Sequence, residues 1–245
     1  MACQGNRTAR RRIQEFNARL LAEITAGHAV VVLQNLGLDW IPVWHYAIAI
    51  GYDLERGLLV LRSGRASREE VSLNPFDRTW ARGGRWAMLA LAPGDLPATV
   101  DAGAYVLAAT RLEKSEAASA KIAYEAVLRR QPDHYMALMG LGNVAYEGGD
   151  LAGAAAAFRA ASRVRPDSVA AFNNLSQALF ESGQYAEALD MARVAVSLGG
   201  PLLATASRTR DEIAAAIAQG NPSRQSASAS AVSRRAARGD AGRRQ

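Results

Sequence analysis

The sequence predicts an α+β amino-terminal domain with a mostly antiparallel sheet, followed by an all-α solenoid of stacked helical hairpins. Three observations lead there. Between residues 29 and 92 lie short apolar runs bounded by turn residues, joined by connections too short to hold crossover helices. Further on, Pro132 and Pro166 stand 34 residues apart, and each closes a helical stretch of similar pattern, which is the period of a repeat array. From Asn221 onward the composition turns to Ser, Ala and Arg with no apolar pattern. The expected divisions are 1–98, 101–219 and a disordered basic tail, 220–245.

The elements follow in order. Ile13, Phe16, Leu20, Leu21 and Ile24 share one face at helical spacing, so residues 8–25 are expected to form an amphipathic helix ended by Ala26-Gly27. Strands are expected over 29–35, 44–52, 57–62, 70–73 and 86–92, with a short helix over 75–81. In the second strand, WHYAIAIGYD, side chains alternate between two faces. Trp44, Tyr46, Ile48, Ile50 and Tyr52 make a bulky face suited to a sheet core. His45, Ala47, Ala49 and Gly51 make a smooth face on which a helix can lie close. Trp40, Trp44, Trp80 and Trp86 are expected in the core or along a cleft wall. The arginines and serines of 62–68 read as a solvated hairpin rather than a phosphate site.

Over the second half, YMALMGLGNVAYEGGDLAGAAAAFRAASRVRPDS (135–168) and VAAFNNLSQALFESGQYAEALDMARVAVSLGGPL (169–202) align with one another. Leu138, Leu141 and Gly142 recur in the first helix, and Ala154, Phe158, Ala161 and Pro166 in and after the second. Phe172, Leu175, Ser176, Ala188, Ala192 and Ala195 hold the same register in the next copy. Small residues let paired helices approach, glycine in the 148–150 and 182–184 turns supplies a left-handed conformation, and proline stops the second helix. These segments resemble tetratricopeptide repeats. A divergent copy precedes them at 101–134, with Leu107, Ala108, Ala120, Tyr124 and Pro132 in register. A capping helix over 201–219 turns Ile213 and Ile217 toward the stack, giving three repeats and a cap. The resemblance implies a protein or peptide ligand on the concave surface, where Asn143, Asn173 and Gln177 either hydrogen-bond a peptide backbone or stand as solvated polar residues. Met139 and Asn173 occupy positions where a carboxylate clamp would carry lysine, which disfavours a receptor for chaperone tails.

The first half carries a second resemblance. GHAVVVLQNLGLDWIPVWHYAIAIGYD (27–53) followed by GLLVLRSG (57–64) resembles the second half of bacteriocin-processing, papain-like cysteine peptidase domains, over about residues 13–97. Some bacterial members carry such a domain ahead of tetratricopeptide repeats. The resemblance places His45 at the general base, which would take a proton from a cysteine thiol. The family's Cys-Gly-Pro turn is missing: Cys3 is followed by Gln4 and Gly5, and no nucleophile is assigned. Arg62-Ser63 stands where an aspartate is usual, leaving Ser63 as a weaker group to orient the ring. The expected function is therefore a peptidase-like domain without its nucleophile, joined to a peptide-binding array. The alternatives are an active peptidase using Cys3 and His45, or one completed upstream, and nucleic-acid contact through the tail.

Composition narrows this further. Apolar residues form 49% of the chain and charged residues 21%, as in folded globular proteins. The net charge is +6, of which the tail supplies five through Arg224, Arg234, Arg235, Arg238, Arg243 and Arg244 against Asp240. That tail holds no aromatic to stack on a base, which disfavours nucleic acid. A single cysteine excludes an internal disulfide, and His28, His45 and His134 lack metal-ligand spacing, so no metal or cofactor is expected. No apolar run reaches the roughly 20 residues of a membrane span. As written the chain is expected in the cytoplasm, and outside it if the true start lies upstream. Oligomeric state is left open.

Overall fold

The structure is a computed structural model that describes residues 18–99 and 101–220. The chain divides into two compact units, one ending at Tyr105 and one starting at Val106. Cys3, Ile13 and Phe16 lie outside the described residues, as do residues 8–17 of the helix expected over 8–25 and residues 221–245 of the basic tail.

In the first unit, helix α1 (18–25) leads into a five-stranded sheet. Its strands are β1 (Val30–Asn35), β2 (Trp44–Asp53), β3 (Leu58–Ser63), β4 (Ala66–Ser72) and β5 (Ala87–Leu89), with helix α2 (Leu73–Arg82) before the last. The spatial order is β4-β3-β2-β1-β5 and every pairing is antiparallel. Short turns enforce this from β1 to β4, because a parallel return needs a crossover of a dozen residues or more, whereas β5 reaches β1 through α2. β4 starts at Ala66, four residues earlier than expected, so the Arg62–Arg68 stretch is the β3–β4 hairpin itself.

Helices lie on the small-residue face of β2, as expected, but that face is also the core side, which bulk assigns to the opposite face. Ala47 is 2% exposed and Ala49 fully buried, packed with Leu20 of α1 and Phe76 and Trp80 of α2 over Val30, Val32, Leu59 and Leu61. Trp44, Tyr46 and Ile48 face outward. Small side chains mark the core side here because two helices lie on that face, and each methyl lets the helix backbone come closer. Among the tryptophans, Trp80 is buried, its Nε1 donating to the Trp86 carbonyl at 2.8 Å, whereas Trp40, Trp44 and Trp86 are exposed, not core.

One buried carboxylate fastens the end of this unit. Glu23 on α1 accepts from Thr99 Oγ1 at 2.6 Å, from the Thr99 and Ala98 amides at 2.7 and 3.0 Å, and lies 2.7 Å from His28 Nδ1. Burial alone would raise its pKa. The donors from Thr99, His28 and Ala98 outweigh that and hold the carboxyl below the usual carboxylate range.

The second unit is helical. Helix α3 (Ala102–Thr110) crosses the division. The unit continues with α4 (Ala117–Arg130), α5 (Tyr135–Glu147), α6 (Leu151–Val164), α7 (Val169–Glu181), α8 (Tyr185–Leu198) and α9 (Leu203–Ala218). From α4 onward each helix packs on the next. His134, Asp150 and Ser168 cap α5, α6 and α7 by accepting the Ala137, Gly153 and Ala171 amides. Gly149 and Gly183, both at φ +82°, make the left-handed turns the sequence calls for. Ala154, Phe158, Leu175, Leu179, Ala188, Ala192 and Ile213 form one core. Two expectations fail. Leu107 and Ala108 are exposed while Val106 and Ala109 are buried, and Ile217 on the cap is exposed although Ile213 is not.

Candidate functional site

In a stack of helical hairpins, the first helix of each pair lines the inner surface. Here α5, α7 and α9 do so, with residues 113–114 closing one end, around a cleft of about 1060 Å3. Asn143 from α5 and Asn173 and Gln177 from α7 all line it. Asn143 and Gln177 stand 34 residues apart, hence at one position of successive repeats, and Asn173 lies one turn before Gln177. Asn173 Oδ1 is buried and has no hydrogen-bond partner among the described residues. Such an acceptor is rare in folded proteins and costs stability unless something arrives to satisfy it.

Tyr146, Glu147, Arg208 and Glu212 also line the cleft and escape the sequence reading. Tyr146 and Glu147 were findable, as they follow Asn143 by three and four residues on the same helical face. The α9 residues were not, because the cap lies outside the repeat and has no second copy to align with. The Tyr146 hydroxyl donates to Glu181 at the far end of α7. Burial, then the Glu181 hydrogen bond and charge, push its pKa far above the ordinary phenol value. Tyr124, fully buried, is raised in the same way by burial and by the Glu113 carboxylate to which it donates. Both phenols therefore stay protonated and both bonds persist. Glu113, Glu147 and Glu181 recur every 34 residues, so the repeat places one carboxylate per layer.

The cleft belongs to a region with known relatives. The family model for the tetratricopeptide repeat matches residues 105–162 and 149–201. These segments are tetratricopeptide repeats. Among solved structures, a mutant O-GlcNAc transferase of Thermobaculum terrenum is 26% identical with a TM-score of 0.36, over 41% of this chain and 20% of that one. The TPR2B domain of yeast Sti1, from a complex with pHsp70, is 18% identical with a TM-score of 0.44, over 46% of this chain and 95% of that one. The MamA protein is 20% identical with a TM-score of 0.42, over 47% and 65%. No curated protein matches the sequence. This chain spans a fifth of the transferase and about two thirds of MamA.

The repeat match lies wholly beyond the other pair singled out by sequence. His45, near the start of β2, and Ser63, the last residue of β3, sit on the helix-covered face, with Nε2 2.8 Å from Oγ. Ser63 is paired in register with Ala47, two residues along from His45. Gln34 on β1 lies opposite His45, and Thr79 of α2 donates to its amide oxygen at 3.4 Å. A hydroxyl can fix the ring's orientation, but it supplies no negative charge to stabilise an imidazolium. The described residues contain no cysteine, and no cluster among them has the makings of a metal site. No helix among them is long and apolar enough to cross a membrane.

Proposed function

We propose that the chain is a protein-binding module whose repeat cleft takes an extended peptide segment, with Asn143, Asn173 and Gln177 as hydrogen-bonding contacts. The observation that carries this reading is the buried, unpartnered Asn173 Oδ1 inside the cleft. A peptide N–H delivered there supplies a hydrogen bond that the described residues do not, so binding and relief of that cost coincide. Selecting peptides on the full chain and titrating them by calorimetry tests it. Asn173→Ala should weaken a selected peptide by about 5- to 20-fold, the worth of one or two hydrogen bonds. Peptides whose affinity ignores Asn173, Asn143 and Gln177 alike would remove the cleft as the site.

A second reading concerns the first unit. We infer a peptidase-like domain that lacks its nucleophile, supported by the His45 ring held against Ser63 at the end of the neighbouring strand. On this reading the chain hydrolyses no peptide, and a thiol-alkylating probe labels Cys3 equally in the wild type and in His45→Ala. Faster labelling in the wild type would mean that the imidazole activates the thiol, and the chain would be an enzyme.

A further inference from the structure

One face of the five-stranded sheet has no cover among the described residues, and its residues are not those of a wetted face. On β2, Trp44 is 56% exposed, Tyr46 60% and Ile48 37%. Beside them Trp86 is 42% exposed and Met88 on β5 48%. The register joins them into one patch: Val31 lies between Ile48 and Met88, and Leu33 lies opposite Tyr46. The Tyr46 and Trp86 rings meet edge to face across Leu33, with centroids 5.9 Å apart. An antiparallel sheet with one face in water normally carries polar residues there.

We propose that this face packs against the same face of a second copy of the chain, forming a two-fold sheet-on-sheet dimer. Three features select a second copy over other occupants. The first is area. Counting an aromatic at 150–250 Å2, the half-exposed side chains present roughly 600 Å2 of apolar surface. That is the upper end of the largest patch on a typical monomer, and most of the about 800 Å2 that each partner gives to a stable interface. The second is self-complementarity. No acid or base stands among the apolar side chains, and Arg62, opposite Ile48 on the same face, marks the edge of the patch, so the apolar part meets its own image without an unpaired charge. The third is the distribution of charge around it. Arg62 lies opposite Ile48 on β3, and Arg56 and Arg68 bridge to Glu70 on β4, so the charged strip runs along one side only. A two-fold axis along the strand direction overlays the apolar halves and sends the two charged strips to opposite margins. Sheets stacked this way sit about 10 Å apart with strands nearly aligned.

The test is sedimentation velocity of the full chain over a micromolar concentration series, alongside Ile48→Glu and Met88→Lys. Both positions are exposed, so the variants should keep wild-type circular dichroism and thermal midpoints. Wild type should sediment as a dimer, and either charge should raise its dissociation constant by about 100-fold or more, since each would be buried unpaired. A wild type that stays monomeric throughout overturns the proposal, whether the face is covered by another part of the chain, by a different protein or by lipid. A dimer indifferent to both substitutions overturns it equally, because the contact would then lie elsewhere.

Discussion

Replacing Gly140 by alanine sets two effects of opposite sign against each other. In an exposed helix the change stabilises by about 1 kcal/mol, because glycine loses the most backbone freedom on folding. At this position in α5, however, the new Cβ would stand 2.3, 2.5 and 2.8 Å from the Cζ, Cε2 and Cε1 atoms of Tyr124. Carbon atoms pack comfortably at about 3.5–4.0 Å, so the ring or the helix must give by roughly 1 Å. The ring has nowhere to go. Tyr124 is fully buried and its hydroxyl is committed to Glu113. Overpacking costs about 1–3 kcal/mol, and straining a hydrogen bond to a carboxylate adds about 1.5–3 kcal/mol. After the helix gain is deducted, a net loss of about 1.5–5 kcal/mol remains, or a fall of at least about 6 °C in the helical Tm. The assay can separate the units, because all four tryptophans lie between residues 40 and 86. Far-UV circular dichroism should register the loss while tryptophan fluorescence keeps its transition. Tyr124→Leu should then cost less in the Gly140→Ala background than in the wild type, as coupled neighbours require. A higher helical Tm for Gly140→Ala, or strictly additive losses, would refute the collision.

Three further outcomes follow from the geometry. Glu23 has a folded pKa below its ordinary 4.5, so its stabilisation is present above that pH and drains away as pH falls through the depressed folded value. Glu23→Gln should cost the first unit about 1–3 kcal/mol at neutral pH and flatten the acid limb of its fluorescence-monitored stability. Asn173→Leu should raise the stability of the repeats by up to about 1 kcal/mol while weakening the selected peptide at least as much as Asn173→Ala does, because it removes a buried acceptor with no partner among the described residues. Gly183→Ala should destabilise by about 1 kcal/mol in urea titrations, since φ is +82° and no neighbour is closer than 3.7 Å, leaving backbone strain as the only cost.

Much of the repeat unit was legible because its signals are local or periodic. Pro132, Pro166, Gly149 and Gly183 punctuate helices by backbone chemistry, and the 34-residue period places Asn143 and Gln177 on one surface without any structure. The strands of the first unit were also readable, since alternation and turn residues are local. The side of β2 that faces the core was not. Alternation gives two faces but not their cover, and volume misleads when the cover is a pair of helices that need Ala47 and Ala49 beneath them. Leu107 misled in a similar way: the divergent copy at 101–134 turns Val106 and Ala109 inward instead and no longer obeys the register of the others. The Glu23 clasp was invisible for another reason. Apart from His28, its donors come from Ala98 and Thr99, some 75 residues away, and the two amides among them leave no mark in a sequence.

The bond between Tyr146 and Glu181 ties the last turn of α5 to the last residue of α7, two helices that wall the same cleft. A hydrogen bond to an ionised carboxylate is among the stronger non-covalent ties, and burial beside Glu181 raises the phenol pKa, which favours the donating form. On the opposite side of the hairpins Arg159 reaches Glu187 at 2.7 Å, linking α6 to α8. Laced on both sides, these two layers behave as a gauge of fixed gap rather than a jaw. On the proposed reading, a peptide in the cleft has to fit that gap rather than reshape it.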